Sequence, residues 1–179
     1  MRVTCSRCSK EHDLEAMEPG HGLPDVVFRL SEYERRVRVI ASKDICQWRR
    51  LSGGMNDSSA WLNYLRVLLE FRVEGRLAPC RWGVWVEVEQ PSFYHVIDLW
   101  DAPERVADKY AWKCTLANEL MGYPKSFGLS GSLRFRNLTD VPYLTLDDGE
   151  HPLITEQRGG VSQARAVEWL VRIHHGETA

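Results

Sequence analysis

Nowhere in this chain does an apolar run approach the ~20 residues that a membrane-spanning helix requires, so no membrane partner is expected. Cysteine is scarce: five residues, an odd set without framework spacing, exclude a disulfide-built secreted scaffold and fit a reducing compartment. No surplus of base is present either. With 23 Lys and Arg against 25 Asp and Glu the net charge is −2, which speaks against non-specific nucleic-acid binding. The N-terminus is polar from Arg2 onward and lacks the apolar core of a secretion signal, so a cytoplasmic protein is expected. No internal repeat or low-complexity tract occurs. What remains is ordinary soluble chemistry, 44% hydrophobic and 27% charged residues. A length of 179 residues suits one domain over 1–179, able to bury about 70% of the surface of its unfolded chain.

The residues then sort into elements. Residues 1–24 hold a CxxC and the helix-breaking EPGHGLP, and suggest an N-terminal loop packed on the body. DVVFRL (25–30) has the composition of a short strand. Ser31 and Glu34 form a capping box that opens a helix in which Tyr33, Val37, Ile40 and Ala41 share an apolar face, with an arginine-rich face left to solvent. YLRVLLEFRV (64–73) and RWGVWVEVEQ (81–90) alternate as the two arms of an antiparallel hairpin. Ser92 is placed to cap a short helix carrying Phe93, Val96, Ile97 and Trp100. A helical turn or two is expected around LANEL, within 104–121. SLRFR (132–136) and PYLTL (142–146) add strands, and Ser162 caps a final helix bearing Ala166, Leu170 and Ile173 on one face. Strands and helices without regular βαβ alternation predict an α+β single domain with an antiparallel β-sheet, flanking helices and an N-terminal CxxC zinc-clip loop.

Cys5 and Cys8 allow three readings. A CxxC can turn two thiolates toward one zinc ion, as half a tetrahedral site, with His12 and Cys46 completing a Cys3His set. A redox pair would sit after a strand and at a helix N-terminus, a setting the flanking Ser9-Lys10-Glu11 does not suggest. The third reading is two thiols without a role.

The series C-S-R-C-x-x-x-H, D-I-C, W-G-V-W-V and H-P-L-x-x-E-Q-x-x-G resembles a bacterial family known as "domain of unknown function 2199", over most of the chain from Cys5 to the last helix. The family carries no established activity, and the resemblance implies a bacterial cytoplasmic protein. Cys5, Cys8, His12 and Cys46 all fall on its pattern, which favours zinc. Ser9 departs from it, since a glycine usually follows the second cysteine there.

Catalytic signals are weaker. LDDGEHPLITEQRGG (146–160) gathers Asp147, Asp148, Glu150, His151 and Glu156, of which His151 and Glu156 are the candidate acid–base residues. The same stretch is also turn and capping chemistry, in which His151 would be hydrogen-bonded within the loop and Glu156 and Gln157 would satisfy nearby backbone groups. GLSGS (128–132) is neither a phosphate loop nor a nucleophile elbow. His174 and His175 point about 100° apart on a helix and do not share a metal. Two functions are therefore expected to compete: a zinc-stabilised module that binds another protein, of the type of toxin-neutralising immunity proteins, and a metal-dependent hydrolase with an open zinc position or a centre at His151 and Glu156.

Overall fold

Period-two alternation is strongest over residues 61–88, and there the structure places its two longest strands. The computed structural model describes residues 2–4, 8, 10–13, 20–51, 60–100, 102, 110–136 and 141–174. The elements run β1 (Arg2–Thr4), β2 (Glu11–Asp13), α1 (Asp25–Phe28), α2 (Glu32–Arg38), β3 (Val39–Ala41), β4 (Ile45–Arg49), β5 (Trp61–Phe71), β6 (Cys80–Val88), α3 (Gln90–Leu99), β7 (Trp112–Leu116), β8 (Ser130–Arg134), β9 (Tyr143–Leu146), α4 (Pro152–Gly159) and α5 (Gln163–His174).

Strands β3 to β9 follow one another in sequence order across a single sheet, each antiparallel to the next. The sheet does not stay open. β9 returns to β5, with Leu68 beside Tyr143 and Leu69 beside Leu144, and this pair is parallel. Parity requires it, because in an up-and-down order of five the first and fifth strands run the same way. β5 to β9 thus form a closed five-stranded barrel, which corrects the expected open antiparallel sheet. One edge of β5 serves two neighbours to achieve this. Residues 61–65 pair with β4, then Arg66 N–H bonds Asp44 O and Leu68 N–H bonds Pro142 O as β4 gives way to β9. Closure gives β9 and the second half of β5 partners on both sides, while β3 stays at the outer edge of the sheet.

The alternation sends Leu65, Val67, Leu69 and Phe71 of β5 inward against Trp82, Val84, Val86 and Val88 of β6, all buried. Phe93 and Val96 of α3, Leu153 of α4 and Trp169 and Leu170 of α5 complete this core. An aromatic group fills part of it: the Trp169 ring centroid lies 4.9 Å from Trp82 and 5.0 Å from Phe71, at the tilted and edge-on angles that aromatic rings favour.

Trp85, Tyr64 and Cys46 lie on the other face of the sheet and are nonetheless fully buried. Val27 and Ala117 close over them with Leu23, Val26 and Trp48, making a second hydrophobic cluster. The cover is held by Asn118. Its Oδ1 accepts from Trp85 N–H at 2.7 Å, and its Nδ2 donates to Leu23 O and Asp25 Oδ1. Asp25 Oδ2 in turn accepts from Glu119 N–H, and Trp85 Nε1–H donates to His21 O.

Several local expectations change. The N-terminal stretch expected as a zinc-clip loop carries two strands, β1 and β2, paired antiparallel. DVVFRL begins as α1 because Pro24 and Ala117 fix its first turn: Pro24 O accepts from Val27 and Phe28 N–H, and Asp25 N–H bonds Ala117 O. The capping box at Ser31 and Glu34 is present, but α2 ends at Arg38 and passes directly into β3. α3 starts at Gln90, two residues before Ser92, with Pro91 in its first turn. The helical turns expected around LANEL give way to β7 and the reverse turns after it. Among the described residues no helix is long and apolar enough to cross a membrane.

Candidate functional site

β1 and β2 pair with Val3 opposite His12 and Thr4 opposite Glu11, so residues 5–10, which hold the CxxC, connect two strands of an antiparallel ribbon. Cys8 is half-buried in a turn of that connection. Cys5 and the side chain of His12 lie outside the described residues. Cys46 is elsewhere in character. It is fully enclosed by Val27, Tyr64, Trp85 and Ala117, and burial pushes its thiol up to about 12. A zinc ligand must be a thiolate, so metal at Cys46 would have to enter this packed apolar cluster. Among the described residues no three His, Cys, Asp or Glu side chains are grouped to hold a metal.

Within the 147–160 stretch residues 152–159 form the helix α4, with His151 before its first turn and Glu156 on it. His151 is its N-cap. Its Nδ1 accepts from Leu153 N–H at 3.1 Å, which leaves the ring proton on Nε2, and that nitrogen donates to Pro124 O at 3.0 Å. Both ring nitrogens are therefore engaged in holding the helix start against the 123–125 turn. Glu156 faces another way. It accepts from the Tyr123 hydroxyl and pairs with Arg165 Nε at 3.3 Å. The Arg165 guanidinium lies 5.2 Å from the Tyr123 ring centre and 5.8 Å from that of Trp169, and also binds Glu168 at 2.8 Å. Burial, reinforced by the bond to Glu156, raises the Tyr123 hydroxyl pKa well above the ordinary value, and the hydrogen bond from Arg165 holds the Glu168 carboxyl low. This polar chain joins α4, α5 and the 123–125 turn. Gln157 meets two backbone groups of β9: its Oε1 accepts from Leu146 N–H and its Nε2 donates to Leu144 O.

A cleft of about 690 Å³ crosses β5 to β8, with Trp61, Asn63, Glu87, Glu89, Lys113 and Cys114 in its wall. Three of its polar side chains are already paired: Asn63 Oδ1 accepts from Gln47 Nε2 at 2.8 Å, and Lys113 pairs with Asp147 at 3.3 Å. Burial pushes the Cys114 thiol up to about 12, so the group is a neutral thiol and a poor nucleophile.

Apolar side chains turned to solvent form the remaining distinctive feature. Tyr33 and Val37 of α2 and Ile40 of β3 are 74%, 55% and 61% exposed, and no residue of α2 is buried. Sequence periodicity groups Tyr33, Val37, Ile40 and Ala41 on one helix face, whereas Ile40 and Ala41 lie in β3. Tyr123, Asn118 and Arg165, which organise the polar interior, gave no such signal: their partners are 25 or more residues away, apart from Glu156, Glu168 and Trp169 near Arg165.

The molecule is thus a closed β-barrel carrying a side lobe built on α1, α2, β3 and β4, with an N-terminal β-ribbon. Residues 4–161 match the family described as "Uncharacterized protein conserved in bacteria (DUF2199)", and the chain belongs to that family. No curated protein and no solved structure matches it.

Proposed function

We propose that this protein acts in the bacterial cytoplasm by binding another protein, with zinc fastening its N-terminal ribbon. The observation that carries the reading is the solvent-facing apolar surface of the side lobe, where Phe28, Tyr33, Val37 and Ile40 are each more than half exposed. Scattered apolar residues on a surface need no explanation, but four within thirteen residues of chain make up the kind of patch that partners cover. The engagement of His151 and Glu156 in internal bonds supports binding over catalysis at that place. Zinc is supported by the position of the CxxC between two paired strands, with His12 on the second of them. Cys5, Cys8 and His12 would hold the metal, which would tie the ribbon's connection together.

One observation favours a second reading. The apolar surroundings of Cys46 leave three local ligands, and three ligands with an open position are the composition of a catalytic zinc site. One comparison separates the two. The purified chain is assayed for zinc by elemental analysis, beside Cys8→Ser and Cys46→Ala variants, and tagged versions are used to recover partners from bacterial cells. The binding reading expects near-stoichiometric zinc, its loss in Cys8→Ser only, and one partner recovered in proportion to folded protein. A hydrolytic activity that vanishes with the metal while the fold persists would replace it with the second reading.

A further inference from the structure

α2 is an amphipathic helix mounted the opposite way round from the usual arrangement. A surface helix ordinarily buries its apolar stripe and exposes its charges. Here Tyr33 and Val37, neighbours at i and i+4, face solvent, while Arg38 turns inward. The reason is visible on the inner side. The Arg38 guanidinium lies 5.5 Å from the Trp48 ring centre, its Nε donates to Arg49 O at 2.9 Å, and its Nη1 pairs with Glu34 at 3.4 Å. The side that carries Glu34, Arg35 and Arg38 is thus the one that docks it.

β3 continues this surface. Among the described residues it is the edge strand of the sheet, and its sequence, Val-Ile-Ala, has none of the charges or prolines that usually protect an edge. Its backbone is also open in a defined way. Ser42 N–H bonds Ile45 O across the two-residue turn Lys43-Asp44, so hydrogen-bonded pairs fall at Ser42 and, two residues back, at Ile40. The N–H and C=O of Ala41 therefore point away from β4, and Ala41 is exposed.

The surrounding charge is predominantly positive. Between Arg29 and Lys43 the chain has five Arg and Lys against two Glu, although the whole chain carries a net −2. Arg29, Arg36 and Lys43 are exposed and have no ion pair among the described residues. A second copy docked about a twofold axis would oppose these cations to themselves. A lipid surface would meet the charges and the apolar side chains but would offer nothing regular to the open backbone groups.

Resting on the binding reading above, we infer that α2 and the free edge of β3 are the docking surface for an acidic, extended segment of a partner protein, which adds a strand beside β3. Backbone pairing supplies affinity in strand addition, while side chains on alternate positions supply selectivity. Apolar side chains of the segment would cover Tyr33, Val37 and Ile40, and its carboxylates would meet Arg29, Arg36 and Lys43.

The test uses the full chain and two fluorescent peptides, one alternating Ile with Glu and one alternating Ile with Lys, read by anisotropy. The Ile/Glu peptide should bind and the Ile/Lys peptide should not. Ala41→Pro removes the outward N–H without touching the ladder to β4, and should weaken binding at least about tenfold with an unchanged thermal midpoint. Arg36→Glu combined with Lys43→Glu should do the same, with a reduced salt dependence. Equal binding of both peptides, no binding of either, or indifference to Ala41→Pro overturns the inference. So does preferential binding of anionic phosphatidylglycerol vesicles or duplex DNA through the same arginines, or a dimer that Ala41→Pro dissociates. If a partner recovered from cells still binds both variants, this surface is refuted while the binding reading stands.

Discussion

Gly131 of β8 and Thr145 of β9 approach so closely that a Cβ on the glycine would stand 2.6 Å from the threonine's carbonyl oxygen. It would also meet Leu144 Cδ1 at 2.9 Å and Leu146 Cα at 3.3 Å. Two of these three atoms are backbone, so no side-chain rotation relieves the contact. The barrel closes through this strand pair, since β9 is also the strand that reaches β5.

Gly131→Ala should therefore destabilise the fold by about 1–3 kcal/mol, the usual range for overpacking. In a chain of this size that lowers the thermal midpoint by about 2–4 °C for each kcal/mol. Gly159, the last residue of α4, has nothing within 4 Å of a Cβ, and Gly159→Ala should be neutral or stabilising by up to about 1 kcal/mol. Thermal denaturation of the two variants side by side checks both signs.

His151→Ala removes the N-cap of α4 and the bond to Pro124, and should cost about 1 kcal/mol. His151→Asn keeps a good capping side chain and should recover a large part of that loss. Peptide binding to the α2–β3 surface should not change in either variant. A stability equal to wild type in His151→Ala would remove the structural role assigned to this ring.

Acid should weaken the side lobe through His21. Burial lowers its pKa below 6.5, with Asp25 opposing, so the folded protein takes up this proton at a lower pH than the unfolded chain. The stability held by the neutral ring is fully present above the unfolded value of 6.5 and is lost as the pH falls from there through the folded value. Urea denaturation of wild type and His21→Gln at about pH 8 and about pH 5 should show the variant losing less on acidification. Parallel losses in the two proteins would place the acid sensitivity elsewhere.

Thiol chemistry should divide the cysteines. Cys46 and Cys114, pushed up to about 12 by burial, carry roughly a thousandfold less thiolate near neutral pH than an ordinary cysteine with a pKa of 9.0. They should resist iodoacetamide at about pH 8 in the folded protein and react on unfolding. Mass spectrometry of peptides after timed labelling reads each site. Rapid native labelling of Cys46 would show that its cluster opens readily, as metal binding there would demand.

What could be read from the sequence was local. Alternation in β5 and β6 identified both strands and their inward residues, and Ser31 with Glu34 identified the start of α2, because each signal lies within a few residues of chain. α4 escaped notice because it is short, opens on Pro152 and is capped by a histidine in place of the usual Ser, Thr, Asp or Asn. The barrel escaped because nothing in PYLTL tells which strand β9 will join besides β8. Periodicity found the apolar stripe of α2 but could not say which way it faces; that was decided by Trp48 and the Arg49 carbonyl, which hold Arg38. At the CxxC, the spacing named candidate ligands, while the surroundings of Cys46 depend on Trp85 and Ala117, far along the chain.

The parallel seam between β5 and β9 also sets a timetable for synthesis. Leu68 emerges from the ribosome some 75 residues before its partner Tyr143. At about 5–20 residues per second, that interval lasts roughly 4–15 s. The β5–β6 hairpin can form early in it, since its arms are adjacent in sequence, yet the Leu68–Leu69 edge must wait for its last strand. During that time the nascent chain displays an apolar strand edge with no partner of its own, the kind of surface that is prone to aggregate until its last strand arrives.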